Sequence, residues 1–157
     1  MTKMLLALIL GAGACFAPIM AFAAENASAL VGRWHGFYLC GQGRTGLQLL
    51  ISKADGLAFQ GEFAFQAMPE NPDVPSGRFA IEGTFDAATQ GVQVKGARWL
   101  EQPSGYEMVG LSGTLSADAR TIADTIDFTS CSDFRVTLEG KEGIPGRAKP
   151  AGEKKKK

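Results

Sequence analysis

Apolar and polar residues alternate along nearly every segment after the first thirty residues, and no stretch there sustains an apolar stripe at helical spacing. Leu57, Phe59, Gly61, Phe63 and Phe65 fall on one face of an extended chain, with Ala58, Gln60, Glu62, Ala64 and Gln66 on the other. Phe79, Ile81, Gly83 and Phe85 repeat the pattern against Arg78, Ala80, Glu82 and Thr84. Phe134, Val136 and Leu138 repeat it against Asp133, Arg135, Thr137 and Glu139. The pattern predicts about eight strands, at 33–40, 45–52, 57–66, 77–85, 92–99, 107–115, 121–128 and 133–140. Turn residues separate them at Gly41-Gln42-Gly43, Ala54-Asp55-Gly56, Asp86 to Gly91 and Ser116-Ala117-Asp118. Successive hairpins, an even strand count and glycines inside the strands (36, 61, 83, 96, 110 and 113) favour a small antiparallel up-and-down β-barrel, because closure removes exposed edges.

Two links depart from the short-turn rule. Residues 68–76 are long and stiffened by Pro69, Pro72 and Pro75, with Asn71 between them. Gln102-Pro103-Ser104-Gly105 sits between Trp99 and Tyr106. Both are expected to be functional loops and to contact a partner, with Pro103, Ser104, Gly105 and Tyr106 at the contact.

The N-terminus carries Lys3, an uncharged apolar run from Met4 to Met20, and Ala21-Phe22-Ala23 with small residues where a signal peptidase reads. Cleavage after Ala23 is expected, which leaves a periplasmic or secreted chain. Gly11, Gly13 and Pro18 interrupt the run, so it is not read as a membrane span. Ala12-Gly13-Ala14-Cys15 is a degenerate lipobox, and a lipoprotein anchored at Cys15 is the less favoured alternative. Removal of Cys15 with the leader leaves Cys40 and Cys131, an even count in an oxidising compartment, and a disulfide between them is expected. The chain-entropy argument gives such a long loop roughly 4 to 5 kcal/mol as an upper figure.

Charge is divided along the chain. Residues 24–140 hold eight Lys plus Arg against fourteen Asp plus Glu, a net of −6. Residues 141–157 hold seven basic residues against Glu142 and Glu153, a net of +5, with two prolines and no aromatic residue. That tail is predicted to be disordered, because it has too little apolar surface to offset its ordering entropy. Outside the inner membrane it is expected to touch anionic lipid at ~1 kcal/mol per charge at most, to fold back on the acidic domain, or to stay solvated. The domain organisation is therefore a signal peptide at 1–23, a barrel at 24–140 and a basic tail at 141–157. No nucleic-acid partner is expected.

Leu30-Val31-Gly32-Arg33-Trp34, followed by Leu49-Leu50-Ile51 and Gly56 to Phe63, resembles the first hairpins of avidin-like and lipocalin-type barrels. The resemblance is at the level of fold, and no ligand residues carry over. Tyr38-Leu39-Cys40 with Cys131 is similar in layout to the periplasmic inhibitors of chicken-type lysozyme, which are small eight-stranded barrels. Ser104-Gly105-Tyr106 resembles their inhibitory serine-glycine loop. The extended loop signature of those inhibitors is absent, and a further strand follows Cys131.

Catalytic sets are sparse. Gly41-Gln42-Gly43-Arg44-Thr45-Gly46 spells a phosphate-binding fingerprint, but that mechanism needs a helix to follow, and Leu47 to Ile51 reads as a strand. His35, the only histidine, has no serine elbow beside it, and paired cysteines supply no thiol nucleophile. Asp124, Asp127 and Asp133 have the composition of a carboxylate pair, yet alternation points most of them to solvent. Two cysteines and one histidine are too few for a zinc site, so neither metal nor cofactor is expected. The leading expectation is a non-enzymatic binding protein of the envelope whose loops meet a protein partner, in its sharpest form a lysozyme. The alternative is a carrier of a small apolar ligand, with Trp34 and Trp99 lining the cavity.

Overall fold

The computed structural model describes residues 23–140, so the expected signal peptide, apart from its last residue Ala23, and the basic tail lie outside the described residues. Eight antiparallel strands close into a barrel in sequence order: β1 (Gly32–Cys40), β2 (Gly43–Asp55), β3 (Ala58–Gln66), β4 (Gly77–Asp86), β5 (Gly91–Glu101), β6 (Gly110–Leu115), β7 (Thr121–Asp127) and β8 (Cys131–Gly140). Closure comes from β1 pairing with β8, from Arg33 opposite Gly140 to Cys40 opposite Cys131. The expected disulfide is present between Cys40 and Cys131 and fastens this seam. It is a bond that oxidising, exported environments preserve.

Alternation decides what faces inward. Trp34, Phe63, Phe79, Phe85, Leu49 and Ile51 are among the fully buried side chains, while their sequence neighbours on the same strands face out. Two in-strand glycines are required by close strand crossings. A Cβ at Gly36 would lie 1.9 Å from the Arg135 carbonyl oxygen, and one at Gly61 would lie 2.1 Å from that of Leu50.

The strands differ from the sequence expectation at several ends: β2 starts two residues earlier and runs three residues longer than expected, so Ala54 and Asp55 are strand rather than turn, and β5 runs on to Glu101. Leu57 is 51% exposed rather than part of an inward row, because Asp55 pairs with Ala58 and leaves Gly56 (φ +57°) and Leu57 as the turn itself. β6 begins at Gly110 rather than 107, and pairs with β5 only from Gly91 to Val94. Cys131 opens β8, two residues earlier than expected, because it pairs with Cys40.

The two ends of the barrel are unlike. One end carries the β2–β3, β4–β5 and β6–β7 turns and is plugged by a 3-10 turn, Ala27–Leu30. Ala27 and Leu30 are fully buried there. The Ala27 amide donates to the Gly56 carbonyl (3.0 Å), and the Gln90 side chain holds both the N–H and the C=O of Ala24 (3.0 and 2.9 Å). The other end, the mouth, carries the remaining links: Gly41-Gln42, residues 67–76, residues 102–109 and residues 128–130.

Candidate site at the barrel mouth

A cavity of about 310 Å³ opens at the mouth. Its wall is aromatic, formed by Tyr38, Phe63, Phe65, Phe79, Tyr106 and Phe128, and the disulfide borders it. Gln42, Ser130 and Glu107 supply the polar edge. The volume lies at the small end of the ~300–1,000 Å³ typical of ligand sites.

The strand period places the wall. Phe63 and Phe65 are inward neighbours on β3, and Phe63 stacks on Phe79 of β4 (centroids 4.6 Å, interplanar 13°). Tyr38 meets Phe63 edge-on at 5.7 Å. These rings sit near the mouth ends of β1, β3 and β4, which turns four ordinary core positions into a cavity floor.

Tyr38 is 3% exposed, and its hydroxyl accepts from Gln42 Nε2 (3.2 Å). Gln42 Nε2 also reaches the Thr45 hydroxyl (3.4 Å), which donates to the Gly43 carbonyl (3.2 Å). Burial pushes the Tyr38 phenol up to about 12, against the opposing pull of its hydrogen bonds with Thr45 and Gln42. Tyr38 is therefore a neutral polar group at the floor across the physiological range.

The link at 102–109 forms one side of the cavity, through Gly105, Tyr106, Glu107 and Val109. The Tyr106 amide donates to the Pro103 carbonyl (3.2 Å), and Gly105 has φ +78°, which gives a tight turn with Ser104 and Gly105 exposed at its tip. The Tyr106 ring stacks on Phe65 (5.3 Å, 12°). It therefore belongs to the protein's own wall rather than projecting outward. Gly77 allows this packing, because a Cβ there would lie 2.5 Å from the Phe65 ring and 2.7 Å from Pro103. Residues 107–109 run beside β5 without joining its ladder, and Met108 packs over Gly96.

The proline-rich link is pinned. Asn71 Nδ2 donates to the carbonyls of Gln42 (2.7 Å) and Arg44 (3.1 Å), and Val74 is buried in the core. Asn71 thus fastens the link to the β1–β2 turn, while Pro69, Pro72 and Pro75 face solvent on the rim.

Neither tryptophan lines this cavity. Trp34 is fully buried toward the plugged end, where its Nε1 donates to the Leu30 carbonyl (2.8 Å). Trp99 is half-buried and packs edge-on behind Phe79 (5.2 Å) and Phe65 (6.4 Å). The glycine fingerprint at residues 41–46 is the β1–β2 hairpin, with strands on both sides. His35 is exposed on β1, and Asp124, Asp127 and Asp133 are exposed as well. Among the described residues no cluster of metal-ligating side chains is present, and no helix is long and apolar enough to cross a membrane. Compared with family models, with curated proteins and with solved structures, the chain matches none.

Proposed function

We propose that the protein is an exported, non-enzymatic binding barrel that takes a small, largely apolar ligand in its mouth. The observation that carries this reading is the aromatic-walled cavity of about 310 Å³ at one end of a barrel whose other end is sealed. Tyr106 and Asn71 add to it, because both are spent on building the mouth. The test is native mass spectrometry of the protein recovered from its own envelope fraction. A retained small-molecule mass is expected, and Tyr106→Ala is expected to release it while Leu57→Ala at the plugged end leaves it bound. Retention unaffected by Tyr106→Ala would reject the mouth as the site.

A second reading is a rim that grips another protein, with lysozyme as the first candidate. It is favoured by the exposed Ser104-Gly105 tip and by Phe128, which is 38% exposed on the same rim. Lysozyme activity unchanged at a large excess of the protein would remove that candidate.

A further inference from the structure

We infer that the mouth selects an organic cation, a positively charged head carried on a small apolar or aromatic body; this rests on the binding role proposed above. The four links at the mouth carry three carboxylates, Glu70, Asp73 and Glu107, and no Lys, Arg or His. Glu107 borders the cavity itself, and no basic residue does among the described residues.

The nearby guanidinium groups are committed elsewhere. Arg44 lies over the Phe37 ring (3.7 Å) and faces Glu70 (3.6 Å), on the outside of the barrel. Arg78 faces Glu62 (3.5 Å) and Glu101 (3.8 Å), also outside. A carboxylate ligand such as a fatty acid would find no counter-charge here and would meet Glu107.

A cation gains from both kinds of wall. Aromatic faces carry the negative part of the ring quadrupole, so a wall lined by Tyr38, Phe65, Tyr106 and Phe128 attracts a cation wherever a ring face is free, the Phe65–Tyr106 stack covering one face of each of those two. Over residues 24–157 the tail's +5 offsets most of the −6 of residues 24–140, so the attraction for a cation is local, set by the carboxylates of the mouth links rather than by net charge. The neutral Tyr38 hydroxyl and the Gln42 amide serve a polar substituent on the body without imposing a charge.

The test is calorimetric titration of the mature, full-length chain with three probes that share one ring: benzyltrimethylammonium, benzyl alcohol and benzoate. The expected order is cation, then neutral, then anion, with the cation ahead of the alcohol by on the order of tenfold. Glu107→Gln, at an exposed position, should weaken the cation severalfold relative to benzyl alcohol, and added salt should act in the same direction. Equal binding of all three probes would overturn the cation inference and leave the mouth as a binding site. No binding of any probe would overturn both. Displacement of benzyltrimethylammonium by a peptide of residues 149–157 at comparable concentration would overturn the choice of a free small molecule in favour of a lysine side chain.

Discussion

At the plugged end of the barrel, polar groups are consumed in closing the structure: the Gln90 side chain holds Ala24, the Trp34 indole holds Leu30, and the Ala27 amide docks on the Gly56 carbonyl. At the mouth two of the four links, residues 67–76 and 102–109, are long, and rings that would otherwise complete the core border open space. The difference is one of link length. Turns as short as Gly56-Leu57 draw the strand ends together, whereas residues 67–76 and 102–109 must be pinned by Asn71, Val74 and the Tyr106 stack to keep their shape. The plugged end is thus closed by the 3-10 turn and its hydrogen bonds, whereas the mouth keeps its shape around open space through the disulfide, Asn71 and the Tyr106 stack.

The strongest way to break this division is to attack the plug. Trp34→Ala removes a fully buried ring and orphans the Leu30 carbonyl, and is expected to cost about 3 to 5 kcal/mol in urea unfolding. Its effect on ligand binding in the folded fraction should be small. Replacing Cys40 and Cys131 by alanine opens the β1–β8 seam at the mouth and is expected to cost about 2 to 5 kcal/mol. Unlike the Trp34 change, it should also weaken binding, since the disulfide borders the cavity.

A pH titration sharpens the comparison. Tyr38 has its ionisation raised from 10.0 to about 12 by burial, so the folded state holds its proton where the unfolded chain has lost it. Its contribution is complete below pH 10 and is lost as pH rises toward about 12, a span corresponding to about 2 to 3 kcal/mol. Thermal unfolding should fall in that alkaline window, and Tyr38→Phe should flatten the fall. Asp86 acts at the plugged end and in the opposite direction. Its carboxylate, held below the usual range by the amides of Ala88 and Thr89, contributes above the unfolded value and loses that contribution as pH falls through the lowered one. The smallest expected effect on stability is that of Phe128→Ala, within about 0.5 kcal/mol, since the ring is on the rim. Phe128→Ala should nonetheless weaken ligand binding.

Most of the barrel was legible because strand alternation is enforced wherever one face is buried, and the rows Phe59 to Phe65, Phe79 to Phe85 and Phe134 to Leu138 obey it. The plug was not, since four residues, Ala27 to Leu30, show no period; the signal present was Asn26, whose side chain accepts from the Ser28 amide as a cap. The expected strand start at residue 107 is not met, since Met108 is held by packing over Gly96 rather than by a ladder. The mouth was legible only in part. Phe63 and Phe79 have the same local pattern as Phe59 and Phe85, and only the direction of the strand places the first pair beside the cavity. Size made Trp34 and Trp99 the natural cavity residues, yet Trp34 packs at the plugged end and Trp99 backs Phe65 and Phe79. Tyr106 carried a better signal, as an aromatic residue directly after a Pro-Ser-Gly turn.

The most direct test of a sealed end and a binding end is amide shift mapping by NMR during a titration with benzyl alcohol, which is neutral and so independent of the charge argument. Shifts confined to Tyr38, Gln42, Phe63, Phe65, Tyr106 and Phe128, with Leu30 and Gln90 unmoved, are the expected result. Shifts centred on the plug, or spread evenly over both ends, would contradict the account.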